Sequence, residues 1–427
     1  MAKSVLVLGT GKVGKTVAEM LLSFGRGNYR VTLADASEVS LAEASKNLSS
    51  LAGWVKNNAK GKGAFGVEFD SRRVDCSSSS EIEAALKGHD YVVCMLPHQF
   101  VRNVAGLANK AGVHYFDVTE DVKTTDRVRA IAKNRPKVAL VPQCGLAPGY
   151  IAIAAHDVAR EFDTVQTLTL RVGALPQFPT NRLKYNITWS TDGLINEYCE
   201  PCNVMLDGKM VKVPAMEGLE KFSLRGVEYE AFYTSGGVGS LIETLEAGKR
   251  LSPTANVAYK TLRYPGHNEL MKFLLHDMRF IERAPQPAPA PAAKKSGKKV
   301  AKGDHPWGDP LVNRSTLVEV FNKSVPRTLQ DVVVVFVNCI GTRNGKPWQK
   351  NFERIVPATH LFGRIWPAIE LTTAAGVCAM VDLHREGAIK KTGFIAQESV
   401  SLEMFSRSIF GLGYDNPAAI EAAVLGK

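Results

Sequence analysis

The stretch that most constrains this chain lies within its first 35 residues. Residues 4–8 (SVLVL) form a continuous apolar run of strand length, as a parallel strand buried on both faces requires. Gly9-Thr10-Gly11-Lys12-Val13-Gly14 follows without a gap, and residues 16–24 then space Val17, Met20, Leu21 and Phe24 as a helix would. Strand, GxGxxG and helix in this order let a pyrophosphate meet bare backbone at a helix N-terminus. Residues 29–34 (YRVTLA) form a second strand that ends on Asp35, 21 residues beyond Gly14. A carboxylate there can accept hydrogen bonds from a ribose 2′-hydroxyl. No arginine adjoins Asp35 and its charge opposes a 2′-phosphate, so the pattern predicts NAD rather than NADP. A glycine turn alone would mean little; with both flanking elements and the spaced acid it predicts a dinucleotide site.

The alternation of strands and helices continues. It predicts a helix over 37–59, a short strand over 72–75 ending on Asp75, and a helix over 80–86. Strand 91–96 (YVVCML) runs into Pro97-His98, helix 101–111 follows, and strands 114–118 and 138–141 complete the set. Such alternation implies a parallel sheet with right-handed crossovers, whose ligands sit beyond the carboxyl ends of the strands. Those ends supply Gly9, Gly11, Lys12, Val13, Gly14, Asp35, Asp75, Leu96 and Pro97 as cofactor-binding candidates. After residues 145–149 (GLAPG) the pattern changes. A helix over 150–161 gives way to extended segments at 165–172, 183–189, 210–213 and 229–233, with frequent turn signals. Segments 330–340 and 348–356, joined through Arg343-Asn344-Gly345-Lys346, predict a hairpin, and 366–386 a long helix. The expected fold is therefore α/β. A Rossmann doubly wound parallel sheet occupies 1–144, an α+β substrate domain with a mixed sheet 145–364, and a helical segment 365–427.

Composition excludes other classes. Apolar residues make up 45% and charged residues 22%, ordinary globular usage. No apolar run approaches the roughly 18 residues of a membrane span, and Met1-Ala2-Lys3 leads straight into a strand, so neither a membrane span nor a signal peptide is expected. Seven cysteines, scattered and odd in number, predict a reducing, cytoplasmic setting without disulfides. Cys199 and Cys202 form a CxxC with no second pair or suitably placed histidine, so no metal is expected. The net charge is +11, but five of the lysines crowd into residues 284–304, where Pro and Ala alternate before Lys and Gly. That segment reads as a solvated insertion. It lacks the aromatics that a nucleic-acid surface would interleave with its charges, so no nucleic-acid partner is expected.

Four segments then carry a resemblance. GLAPGY (145–150), NRLKYNITWS (181–190), EAFYTSGG (230–237) and KTLRYPGH (260–267), in this order after a nucleotide-binding half, resemble the saccharopine dehydrogenase family. The resemblance covers most of the chain except 284–304. It implies a substrate domain with a mixed sheet, a C-terminal helix packed back towards the nucleotide domain, and hydride transfer at a carbon bearing an amine nitrogen. The activity it implies is NAD-dependent oxidation of saccharopine followed by imine hydrolysis. Lysine 6-dehydrogenase is the alternative, and a nucleotide-sensing protein without turnover the alternative of another class. Saccharopine reductases of the family typically use NADP and lack the acid seen here at Asp35. A homodimer acting on a small amino acid is expected.

The chemistry asks for carboxylate clamps and proton carriers. Arg263 is the leading clamp, because a guanidinium grips a carboxylate through two parallel hydrogen bonds. By resemblance, Lys184 matches a basic substrate-binding position, with Tyr185 and Tyr264 beside the two cations in their motifs. Arg182 adds a third charge. Ser235 and Gly236 are small enough for backbone to approach a ligand, though a bare SGG can equally be a turn. His98, Asp117, Glu120 and His267 are the candidates for proton transfer. Each histidine is as readily a structural hydrogen-bond partner, and Asp117 can equally hold the nicotinamide ribose. No single base follows from the sequence. Trp189 and Tyr233 read as core aromatics.

Overall fold

The computed structural model describes residues 2–59, 67–134, 136–278, 280 and 314–425. The insertion expected at 284–304 lies outside the described residues.

The first sheet is built from β1 (Lys3–Leu8), β2 (Tyr29–Asp35), β3 (Phe69–Arg73), β4 (Tyr91–Cys94), β5 (His114–Asp117) and β6 (Ala139–Val141). Helices α1 (Lys12–Ser23), α2 (Glu38–Asn58), α3 (Ser79–Leu86), α4 (His98–Ala111) and α5 (Val122–Lys133) connect them in turn. The strands lie in the order β6-β5-β4-β1-β2-β3, all parallel. The chain winds outward from β1 in both directions, so a crevice opens beyond β1 and β4. Successive β1 residues face opposite layers, as the pleat requires. Val5 and Val7 pack with α1 and α2, whereas Leu6 and Leu8 pack with α3 and α4. Covered on both faces, all four are fully buried. β3 stops at Arg73, short of the expected end, which leaves Asp75 in the following turn.

The second half contains α6 (Tyr150–Ala159), β7 (Thr164–Pro176), α7 (Thr191–Cys199), β8 (Cys202–Leu206), β9 (Lys209–Val213), β10 (Glu220–Leu224) and β11 (Val227–Tyr233). It continues with α8 (Leu241–Ala247), β12 (Leu251–Arg263), α9 (His267–Lys272), α10 (Arg314–Ser324), β13 (Asp331–Arg343) and β14 (Lys346–Pro357). Its sheet runs β10-β11-β12-β7-β13-β14, with β8 attached to β12 and β9 to β8. β12 and β7 are parallel and the remaining pairs antiparallel, so the sheet is mixed. The hairpin turn is the expected one: Arg343 pairs with Lys346 around Asn344 (φ 52°) and Gly345 (φ 70°), the primed geometry that suits strand twist.

One extended segment expected from the sequence is not a strand. Over 183–189 the chain is irregular, with a single bridge from Ile187 to Arg327. Asn181 donates its side-chain amide to the Tyr185 carbonyl at 2.7 Å, and Lys184 takes φ 52°. A side chain that closes a local turn competes with ladder bonds, and here the turn wins.

A short hairpin, β15 (Thr359–Leu361) with β16 (Arg364–Trp366), leads into α11 (Ala368–Arg385), which packs along α1. Pro367 offers no capping side chain at the start of α11. The buried Asp331 of β13 supplies the cap instead, accepting from the N–H groups of Ala368 (2.6 Å) and Ile369 (3.0 Å). β17 (Gly393–Phe394) then adds to β6 in parallel, so the end of the chain completes the first sheet. No helix among the described residues is long and apolar enough to cross a membrane.

Candidate active site

A cleft of about 850 Å³ opens at the carboxyl ends of the first sheet, between it and the second half. At its floor the glycine turn fixes the backbone. Gly9 has φ +100°, and a Cβ there would lie 2.9 Å from the Met95 carbonyl. A Cβ on Gly14 would lie 1.9 Å from the Gly9 oxygen, so helix and strand meet only because both residues are glycine. Gly11, the N-cap of α1, faces open space instead, with nothing within 4 Å of its would-be Cβ. That open side lies over the unpaired N–H groups of the first helical turn, which holds no acid. The arrangement fits a pyrophosphate.

The other expected cofactor residues gather around the same floor. Lys12 and Val13 line the cleft, and the Lys12 ammonium reaches the Thr188 carbonyl of the second half at 3.3 Å. Asp35 accepts from Thr10 N–H (2.7 Å), the Thr10 hydroxyl (3.1 Å) and Ser37 N–H (2.9 Å). A carboxylate offers about four acceptor positions, so one remains for a ribose hydroxyl. Arg73 stands opposite Asp35 in the β2–β3 register, a neighbour that adjacency in the sequence does not reveal. Asp75 accepts from the Ser77 N–H and hydroxyl (2.9 and 2.7 Å), and these bonds lower its pKa. Leu96 and Pro97 complete the wall between β4 and α4. The neighbouring His98 opens α4, but its side chain lies outside the described part of the structure.

Two acids and a guanidinium form the inner end. Glu120, after β5, and Arg263, the last residue of β12, line the cleft together with Glu197 of α7. Arg263 is 2% exposed; its Nε donates to the Tyr198 hydroxyl at 2.8 Å and its Nη1 to the Leu262 carbonyl at 2.8 Å. Burial pushes the Glu120 carboxyl up to about 7. The Glu197 carboxyl rises to about 8, with burial the main cause, Glu120 adding to it and Arg263 opposing.

Several expected site residues stand behind this wall, where they position others. His267 is fully buried, accepting from the Tyr198 hydroxyl at Nε2 (3.0 Å) while Nδ1 donates to the Leu183 carbonyl (2.9 Å). Burial and the Arg263 charge hold its pKa near 3, so it stays neutral and carries no proton for a substrate. The chain Arg263–Tyr198–His267 instead fixes the guanidinium. Tyr185 lies under Arg263, its ring centroid 5.2 Å from the guanidinium carbon. Asp117 accepts from the Tyr115 hydroxyl (2.5 Å) and the N–H groups of Thr119 (3.0 Å) and Gln143 (2.9 Å) and is fully buried. It ties the ends of β5 and β6 together and does not reach the cleft. Ser235 and Gly236 brace the backbone that carries the two acids: Ser235 N–H donates to the Glu197 main-chain carbonyl (3.1 Å), and a Cβ on Gly236 would lie 2.5 Å from the Glu120 main-chain carbonyl oxygen. Lys184 is exposed and donates to the Pro265 carbonyl at 3.0 Å, away from the cleft. Tyr264 bonds the Pro176 carbonyl at 2.9 Å and stacks on Tyr229. Neither contacts the cleft.

The sequence reading missed Glu197 and read Trp189 as a core aromatic; Trp189 does pack against the core. Both line the cleft, and Trp189 packs so closely on Gly193 that a Cβ there would lie 2.4 Å from its ring. One signal for Glu197 was present. It shares a helix face with Leu194 and Tyr198, each 1% exposed, and an acid on an apolar helix face needs a reason.

The family model for the saccharopine dehydrogenase NADP binding domain matches residues 5–139, and that for the saccharopine dehydrogenase C-terminal domain matches 145–410. A saccharopine dehydrogenase [NADP(+), L-glutamate-forming] from Pyricularia oryzae is 23% identical over 296 residues, 67% of this chain and 59% of that protein. The mitochondrial alpha-aminoadipic semialdehyde synthase of Mus musculus is 24% identical over 220 residues, 49% of this chain and 21% of that protein. The chain thus spans less than two thirds of the first relative and about a fifth of the second. The solved structure of apo saccharopine dehydrogenase (L-Glu forming) from Saccharomyces cerevisiae shares the fold, with TM-score 0.69 at 18% identity over 96% of this chain and 97% of that one.

Proposed function

The chain belongs to the saccharopine dehydrogenase family, and from that premise we propose that it is a nicotinamide-dependent oxidoreductase acting on a C–N bond of a lysine-derived amino acid, with NAD as acceptor and saccharopine as substrate. The observation that carries the reading is a single cleft joining the glycine turn to the buried Arg263 and the uplifted Glu120 and Glu197. The bound dinucleotide supplies the hydride acceptor. Gly9, Gly11 and the first turn of α1 would hold its pyrophosphate, and Asp35 its adenosine ribose. Arg263 seats a substrate carboxylate through its remaining N–H groups and fixes the reacting carbon over the cofactor floor. Trp189 lines the cleft from the second half, and the Lys12 bond to the Thr188 carbonyl ties that half to the glycine turn.

Two points refine the reading. Asp35 favours NAD by charge, whereas the P. oryzae relative is named for NADP, and Arg73 across the register from Asp35 is the residue that would serve a 2′-phosphate. Lysine itself is the second reading, favoured by the count of clamps. Of the three cations expected at the substrate, Arg263 lines the cleft, joined by Arg327, while Arg182 and Lys184 do not. Saccharopine carries three carboxylates and lysine one. The test is the appearance of reduced cofactor from NAD and from NADP with saccharopine, lysine and carboxynorspermidine side by side. Saccharopine with NAD should be fastest. Faster reduction of NADP at equal concentration removes the role given to Asp35, and no reduction with any amine removes the proposed activity.

A further inference from the structure

Glu197 has no structural reason to be an acid. It lies on the second turn of α7, is 9% exposed, and its carboxylate has no hydrogen-bond partner among the described residues. The titratable groups around it are Glu120 across the cleft, Arg263 and Tyr259 on β12, Tyr198 on its own helix, Tyr185, and Cys202 on β8. None donates a hydrogen bond to it. A desolvated, unpaired carboxylate is costly, and an apolar residue of similar volume would suit the fold better. A group kept against that cost in a cleft is a candidate for chemistry.

The positions of the three charges divide the work. Arg263 and Glu197 come from the second half, whereas Glu120 enters from the nucleotide side after β5. A substrate seated by its carboxylate on Arg263 therefore presents its nitrogen to Glu197, and Glu120 faces the carbon from the cofactor side. We propose that Glu197 is a catalytic proton carrier: it takes the N–H proton of the substrate ammonium before hydride leaves and returns it to nitrogen as the C–N bond breaks. This rests on the amine-oxidising function proposed above.

The steps balance. Glu197 takes one proton from the ammonium, and the neutral nitrogen lends its lone pair to form C=N as the C–H bond pair leaves for the oxidised nicotinamide. Water adds to the resulting iminium and gives one proton to Glu120. Glu197 protonates nitrogen, the C–N bond breaks, and Glu197 carries the hydroxyl proton to the departing amine. Glu120 releases its proton to solvent. The sum is one substrate ammonium, one water and one oxidised cofactor giving a carbonyl, a product ammonium, a reduced cofactor and one proton.

The test uses E197Q and E197D in the full chain, with one readout that needs no substrate. In the unmodified protein the folded state holds a proton on Glu197 that the unfolded chain has already released, so this residue lowers stability as pH rises from about 4.5 towards 8. The melting temperature of E197Q relative to the unmodified protein should therefore climb between pH 6 and pH 9. With whichever amine the unmodified protein oxidises, E197Q should lose about a hundredfold or more in kcat and flatten the acid limb of kcat/KM. NADH affinity should stay within about twofold, and E197D should restore part of the rate. A melting-temperature gap that does not change with pH overturns the proposal, as does E197Q with kcat within about threefold and the same pH profile. If no amine is oxidised, the proposed activity fails while the melting curves still decide whether Glu197 holds the proton. If E197Q does not fold, an E197D whose acid limb is unmoved overturns the proposal.

Discussion

The two halves of the molecule make their binding surfaces from different materials. In the nucleotide half the surface is backbone: three glycines, a helix N-terminus, and an aspartate fixed by the N–H groups of Thr10 and Ser37. In the second half it is side chains: Arg263 from β12, Glu197 from α7 and Trp189 from an irregular stretch. A backbone site is broken by adding one carbon atom and indifferent to many side-chain changes. A side-chain site is the reverse. The halves should therefore separate cleanly under mutation, the first changing cofactor affinity and the second turnover.

The largest effect is expected at Arg263. Truncation to alanine removes the clamp and leaves Glu197 without the cation that opposes its protonation. Leaving a buried substrate carboxylate without its cation costs about 3–5 kcal/mol, so kcat/KM should fall by roughly a hundredfold or more. Arg263→Lys keeps the charge but loses the planar fork, and should cost about 2 kcal/mol. NADH affinity, followed by fluorescence, should survive both. If it weakens in step with kcat/KM, the division between halves is wrong. If Arg263→Ala lowers the melting temperature and leaves kcat/KM unchanged, Arg263 only braces the fold.

The glycine turn should give the opposite signature, with a smaller effect. Gly14→Ala forces a Cβ against the Gly9 carbonyl, which should cost about 1–3 kcal/mol of stability and weaken NADH binding together. Gly11→Ala meets no atom in the fold. It should leave the melting temperature nearly unchanged and weaken NADH about tenfold, by occupying the side where the pyrophosphate lies. Unaltered NADH binding by Gly11→Ala would move the pyrophosphate elsewhere.

The same contrast explains what could be read in advance. Gly9 to Gly14 and Asp35 announce themselves because backbone sites are written in consecutive residues with obligatory types. The parallel sheet followed equally from runs such as Val5 to Leu8, buried on both faces. The substrate end did not, because Arg263, Glu197 and Glu120 meet only after three separate elements pack. Residue type suggested Arg263 and Glu120, but could not distinguish them from His267 and Asp117, whose bonds to Tyr198, Thr119 and Gln143 are tertiary facts. Lys184 failed for a local reason. Its positive φ closes a turn that carries the ammonium out to Pro265. The segment 183–189 alternates like a strand, yet the Asn181 side chain closes a local turn on the Tyr185 carbonyl instead.

The smallest effect is expected where the halves of the chain rejoin, on the side of the sheet away from the cleft. His114 begins β5 and its ring lies 4.2 Å, centroid to centroid, from that of His384 near the end of α11. His114 Nδ1 accepts from Ala139 N–H (3.0 Å), so its proton sits on Nε2. His384 donates from Nε2 to the Lys391 carbonyl (3.2 Å) and accepts the Tyr91 hydroxyl at Nδ1 (3.1 Å). Both rings are thus neutral, and a second proton on His114 would set N–H against N–H. Burial, with His384 adding to it, lowers the His114 pKa to about 4. Below pH 6.5 the unfolded chain takes up a proton that the fold refuses, so this contribution is complete above pH 6.5 and lost as pH falls towards 4. Buried acids such as Asp331, raised to about 6, titrate in the opposite sense, and the total curve mixes both. Comparison with His114→Asn isolates the histidine, because asparagine can still accept from Ala139. The stability advantage of the unmodified protein over this variant should shrink by roughly 1–3 kcal/mol between pH 7 and pH 4, with kcat at neutral pH unchanged. An advantage that stays constant across that range would mean that His114 takes up its proton as readily in the fold as in the unfolded chain, and that the ring pair is held by something other than these neutral hydrogen bonds.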